Sequence, residues 1–146
     1  MRISQGLLSE IYDWAGQYRQ VNVSKDGFPF AAAAQIPNLM HEYERGPLKR
    51  LSPCNFKERE KLIQALAETH AEQVLIHPFR DGNGRIARVL STLMALQGGL
   101  PMLDFSVIAE ERKQGYFAAV QAGLARNYHP MEEVFAEVIA RTLAVS

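Results

Sequence analysis

The chain has 146 residues, 47% hydrophobic and 22% charged, enough for one soluble domain around one core. Sixteen basic residues balance sixteen acidic ones, and a formal net charge of zero argues against a broad nucleic-acid-binding surface while leaving room for a local anion site. The single cysteine, Cys54, excludes an internal disulfide and points to a reducing cytoplasm, and no stretch reaches the ~18 consecutive apolar residues of a membrane span.

Residues 3–15 set Ile3, Leu7, Leu8, Ile11, Trp14 and Ala15 at three- and four-residue spacing, the apolar face of a helix that Gly16 ends. Val21 and Val23, then Phe28 and Phe30, alternate with other residues around Asp26-Gly27. This predicts a small β-hairpin over residues 20–31, with Pro29 marking an edge strand. Two strands are marginal alone, so the hairpin must lean on the helical body or await a partner strand.

Pro37 opens a short helix carrying Leu39, Met40 and Tyr43, ended by Gly46-Pro47. Asn55 and Glu58 resemble a capping box for a longer helix whose apolar face runs from Leu62 to Leu75. Pro78 disfavours helical backbone at His77, which therefore stands at that helix's end. The next helix spans about Arg85–Gln97, with Ile86, Val89, Leu90, Leu93 and Met94 inward and Gly98-Gly99 closing it. Ser106 caps a further stretch, bent near Gly115 and ending near Asn127. The last helix covers 131–143 with Met131, Val134, Phe135, Val138 and Ile139 inward. The class is all-α with one small hairpin, in a single domain over residues 1–146.

The chemistry gathers in HPFRDGNGRIAR, residues 77–88. A helix start is partly positive, yet this one carries Arg85 and Arg88 instead of the usual acids. An anion in front of the helix resolves the conflict. Gly82-Asn83-Gly84 lets the backbone turn its N–H groups inward as a nest. Nest, helix start and two guanidinium forks suit a polyphosphate better than a single carboxylate. Asp81 beside phosphate oxygens suits Mg²⁺. His77, with an ordinary pKa near ~6.5, suits proton removal from a hydroxyl at neutral pH. Phe79 reads as a core anchor for the loop. GxxxxGK[ST] is absent, so this is no Walker loop. His70 and His77 lie seven apart, but no third ligand joins them, so His70 reads as a structural histidine and Cys54 as a plain thiol.

These twelve residues fit the Fic signature, His-Pro-Phe-x-[Asp/Glu]-Gly-Asn-Gly-Arg-x-x-Arg, at every fixed position. IYDWAGQYR at 11–19 and the segment Glu111–Phe135 with Pro130 between them resemble other parts of that family, so the likeness covers roughly residues 5–140. The resemblance implies an all-α Fic fold and transfer of AMP from ATP to a Tyr, Ser or Thr hydroxyl of a target protein. On it, His77 is the base and Asp81 holds Mg²⁺. Gly82, Asn83 and Gly84 form the anion hole, and Arg85 and Arg88 bind the β- and γ-phosphates. The hairpin, with Lys25, Asp26, Gly27 and Phe28 at its tip, becomes a flap that receives the target by β-augmentation. Tyr116 and Phe117 resemble the adenine-side wall. Some relatives carry an asparagine where Leu124 stands.

Gly84 separates this chain from the related Doc kinases, which carry lysine there. Many relatives restrain themselves with [Ser/Thr]-x-x-x-Glu-[Gly/Asn]. The nearest match here, Ser106 to Glu110, is followed by Glu111. A separate antitoxin supplying that glutamate to Arg88 is the implied alternative, in a cytoplasmic protein or a secreted effector. The motif leaves the outer group open. UMP or phosphocholine transfer, AMP removal and a non-catalytic nucleotide-binding module stand as alternatives.

Overall fold

A computed structural model describes residues 16–51, 57–110 and 112–145. The helix expected at residues 3–15 and the residues Asn55 and Cys54 lie outside them. The described chain is helical apart from one hairpin. Its strands are β1 (Ser24–Lys25) and β2 (Phe28–Pro29). The helices are α1 (Ile36–Arg45), α2 (Pro47–Leu51), α3 (Arg59–Ile76), α4 (Asn83–Gln97), α5 (Ser106–Glu110), α6 (Lys113–Ala122) and α7 (His129–Val145). Short 3₁₀ turns at Ala33–Gln35 and Gly123–Ala125 precede α1 and follow α6.

Helix α3 is the axis of the domain, and α1, α2, α4, α6 and α7 all pack on it. The sequence shows one apolar face, but from Ala65 onward nearly every side chain of α3 is buried, including Thr69, His70 and Gln73. A helix enclosed on all sides needs small residues where neighbours approach, and Ala65, Ala67 and Ala71 supply them. Thr69 returns its hydroxyl proton to the Ala65 carbonyl at 2.8 Å, so its burial leaves no donor unmet. Helix α7 covers α3 with Met131, Val134, Phe135, Val138 and Ile139, as its periodicity predicts.

Several boundaries differ from expectation. Glu58 is the residue before the first turn of α3, with extended dihedrals and no side-chain cap, so it does not sit inside a capping box. Pro47 starts the further helix α2 instead of only ending α1, since its fixed φ suits a first helical position. In α4 Val89 is exposed; the inward side is Ile86, Ala87, Leu90, Ser91, Met94 and Ala95. The stretch after Ser106 is two helices, broken at Arg112 rather than bent at Gly115. Asp104, not Ser106, supplies the capping oxygen, accepting the Ser106 N–H at 3.0 Å.

The hairpin is shorter than residues 20–31. Lys25 pairs with Phe28 and Ser24 with Pro29, and the Phe30 N–H reaches the Val23 carbonyl at 3.1 Å. Asp26 and Gly27 both take positive φ, 51° and 80°, the backbone of a type I′ turn whose twist suits the strands. Below the strands, chain 18–19 runs antiparallel to 78–79. Tyr18 bridges Phe79, and the Arg19 N–H donates to the Pro78 carbonyl at 2.9 Å.

Candidate active site

The loop between α3 and α4 is built by three local devices. His77 caps α3 in left-handed backbone, φ 50° and ψ 60°, with its N–H still bonded to the Gln73 carbonyl at 3.1 Å. A histidine there is strained by ~1–2 kcal/mol, and Pro78 helps by closing off the right-handed alternative. Gly82, at φ 80°, occupies the position before α4, where glycine alone is free of that cost. Asn83 is buried and acts as a staple. Its Oδ1 accepts the Phe79 N–H at 2.9 Å, and its Nδ2 donates to the Phe79 carbonyl at 2.7 Å. The Phe79 ring, fully buried, anchors the loop as expected and packs beside Tyr18 at 5.7 Å between centroids.

Helix α4 begins at Asn83, two residues earlier than the sequence suggests, so Arg85 lies in its first turn and Arg88 in its second. Both arginines are exposed. A Cβ placed on Gly84 would stand 3.2 Å from Arg88 Nη1, so the bare glycine lets that guanidinium fold back over the start of its own helix. The first N–H groups of a helix have no intrahelical acceptor. The turn at Gly82, the helix start and Arg88 therefore make one positively charged patch at the N-terminal end of α4. Asp81 is exposed at its edge, with Oδ1 accepting the Gly82 N–H at 2.9 Å. No group of three or more His, Cys, Asp or Glu among the described residues is arranged to hold a metal ion. A cation here would rest on one carboxylate and on ligand oxygens, a donor set that fits Mg²⁺ shared with a phosphate chain.

The imidazole of His77 is half-buried, stacked on Phe30 with centroids 3.9 Å apart. Burial draws its pKa below the usual histidine value, and the Arg19 cation pushes the same way. The Val74 carbonyl opposes them, and Lys25 adds a further downward push. Nδ1 is enclosed without a well-formed hydrogen bond, so the Val74 carbonyl is a loosely directed acceptor. At neutral pH the ring is uncharged.

The flap is fastened by aromatic contacts. Phe28 meets Phe30 at 5.9 Å and Phe117 at 6.0 Å, and Lys25 Nζ lies 5.3 Å from the Phe117 ring centre. Phe117 thus joins α6 to the tip residues Lys25 and Phe28. Tyr116 lies deeper. Its hydroxyl is 2.7 Å from His70 Nε2, and burial pushes its pKa up to about 12. It stays protonated and donates, leaving His70 Nδ1 to face Ser91 Oγ at 3.0 Å. His70 is fully buried with a partner at each ring nitrogen, the setting of a structural histidine, and burial lowers its pKa to about 4. Leu124 is exposed beside a groove of about 230 Å³ behind the flap.

Two contributors escape sequence reading. Phe30 shows as part of an alternating pattern, but nothing marks it as the partner of His77. Arg19 is almost wholly buried, and no carboxylate of the described residues pairs with it. Its guanidinium donates to four carbonyls: His77 at 2.6 Å, Val21 at 2.8 Å, Ile76 at 3.1 Å, and Ala31. No motif or spacing along the chain signals that role.

The structure is a helical body in which the glycine turn and exposed start of α4 follow His77 within one loop, beside a two-stranded flap. Comparison with known proteins gives its family. The profile described as Fic/DOC family matches residues 1–95, and the chain belongs to that family. The "Probable protein adenylyltransferase Fic" of Escherichia coli is 29% identical over 143 residues, 94% of this chain and 66% of that protein. "Protein adenylyltransferase VbhT" of Bartonella schoenbuchensis is 28% identical over 97% of this chain and 28% of its own length. The chain thus spans just under two thirds of the first relative and much less of the second. Among solved structures, BepC of Bartonella tribocorum with bound AMPPNP superposes with a TM-score of 0.73 at 22% identity, covering 94% of this chain and 74% of that one. That likeness shows the all-α fold with its small hairpin.

Proposed function

We propose that this chain is a protein adenylyltransferase that moves AMP from ATP to a Tyr, Ser or Thr hydroxyl of a target protein. The observation that carries the reading is one loop that places His77 at the end of α3, its ring stacked on Phe30, and five residues later the glycine turn that opens α4 with Arg88 folded back over Gly84. The names of the relatives in Escherichia coli and Bartonella schoenbuchensis point to the same activity.

In this reading the triphosphate lies on the backbone N–H groups at the start of α4, from Asn83 and Gly84 onward, with Arg85 and Arg88 gripping its outer phosphates. The target oxygen attacks the α-phosphorus while its proton passes to the imidazole of His77. The bond from the α-phosphorus to the bridging oxygen breaks, and pyrophosphate leaves with its charge held by the two guanidinium groups. Mg²⁺ held by Asp81 would supply charge neutralisation on the phosphate oxygens. The rest is positioning of reactants.

The flap offers the target one usable edge. Lys25 and Phe28 form the hydrogen-bonded pair next to the turn, so Ser24 directs its N–H and C=O away from β2. On the other edge Pro29 has no N–H, and the Ala31 N–H is spent on the Leu75 carbonyl at 3.2 Å. A target strand therefore adds to β1. Restraint comes from a separate antitoxin whose glutamate meets Arg88, which is exposed and has no ion-pair partner among the described residues. No helix of the described residues is long and apolar enough to cross a membrane.

Incubating the protein with α-labelled ATP and Mg²⁺ in cell lysate should label a target band. His77→Ala should reduce that labelling by on the order of 10²–10⁴ while ATP still binds. Undiminished transfer by His77→Ala would remove His77 from the role of base. Competition with UTP or CDP-choline reads the identity of the transferred group.

A further inference from the structure

We propose that Arg19 is a positioning residue that makes the flap and the base one mechanical unit. Two of its four acceptors, the carbonyls of Ile76 and His77, close the end of α3. The other two, Val21 and Ala31, stand at the two feet of the hairpin. The backbone of Arg19 is itself bonded to Pro78, one residue beyond His77. A single buried guanidinium therefore fixes the last carbonyls of the helix and both arms of the flap.

The chemistry requires arginine. Four acceptors around one cation need a planar fork with several donors, which a lysine ammonium lacks in reach and in number. Without that cation four carbonyls would lose their partner, that of Ile76 in the buried interior and the other three where they are partly shielded from water. The carbonyls at a helix C-terminus also carry partial negative charge, which helps to balance the buried cation. The left-handed turn at His77 has a physical cause here. It aims the His77 carbonyl at Arg19 Nε while the ring swings out onto Phe30. A target strand settling on β1 then pulls on the same atoms that orient the imidazole. This last consequence rests on the reading of His77 as the base; the link itself does not.

Hydrogen exchange and an NMR pH titration of the His77 ring test the link without nucleotide or target. In the native chain the Ala31 and His77 amides should exchange through one common opening. Arg19→Gln should speed exchange at Phe30 and Ala31 by about tenfold or more, leave Leu66 and Phe135 protected, and raise the pKa of His77. Arg19→Lys keeps the charge and should restore that pKa without restoring flap protection. The link is overturned if Arg19→Gln keeps both native titration and native flap protection, or if Arg19→Lys restores protection in full. Should Arg19→Gln lose its fold, the native chain decides: a shared opening of Ala31 and His77 supports the link, and separate openings overturn it. Retained transfer by His77→Ala would instead overturn the adenylyltransferase reading and leave the link standing.

Discussion

The ring of Phe30 lies flat on the imidazole of His77, with planes 6° from parallel. The flap therefore shields the histidine as well as offering an edge. Removing the stack admits water to the ring. His77 is held below its ordinary pKa in the folded state, so it is neutral at pH 7 and gains its proton only as pH falls through a value below ~6.5. Phe30→Ala should move the acid limb of the transfer rate upward, toward pH ~6.5. A rate profile from pH 5 to 8 reads the shift, and an unmoved limb would show that the stack does not set the proton affinity.

Gly84 and Arg88 are coupled through space. Gly84→Ala places a methyl group 3.2 Å from Arg88 Nη1, and the flexible guanidinium must move aside. The backbone there is helical, so the fold should keep its stability within ~1 kcal/mol. ATP affinity should fall by about tenfold, the scale of one charge-assisted contact. Calorimetric titration with ATP and Mg²⁺ beside thermal unfolding separates the two effects.

Asn83 belongs to the glycine nest in sequence, but its side chain is bound inward to Phe79. Asn83→Ala should remove both side-chain bonds to the buried Phe79 backbone and cost about 1–3 kcal/mol of stability. Denaturant unfolding measures the loss. Unchanged stability with reduced ATP binding would instead place the Asn83 amide on the ligand.

His70 makes the fold acid-sensitive. Its pKa is about 4 in the folded chain against ~6.5 unfolded. Below pH ~6.5 the unfolded chain takes up a proton that the folded chain refuses until about pH 4. Stability should thus fall with decreasing pH across that window, by up to ~3 kcal/mol in all. His70→Gln should lower stability at pH 7 yet flatten this slope. A slope equal to the native one in that variant would assign the sensitivity to another group.

The sequence by itself determined whatever depends on neighbours along the chain. Asp26-Gly27 dictates its own turn, because its dihedrals are a local property. Gly82, Pro78 and the arginines of 77–88 likewise announce a helix end, a nest and a helix start within twelve residues. The apolar periods of α1 and α7 gave their inward faces for the same reason. The helix at 131–143 therefore emerges within two residues of its start, at His129.

Only the tertiary structure decided what lies between distant segments. Arg19 meets His77 across 58 positions, and Tyr116 meets His70 across 46. Phe30 reaches His77 only because the flap folds back over α3. Periodicity cannot show α3 enclosed on every side, since a helix buried all round has no polar face to contrast with its apolar one. The local pattern wrote the glycine turn that opens α4. The buried arginine, the stacked ring and the neutral histidine beneath α4 exist only once packing excludes water, because each depends on the energy of an unpaired polar group in a dry interior.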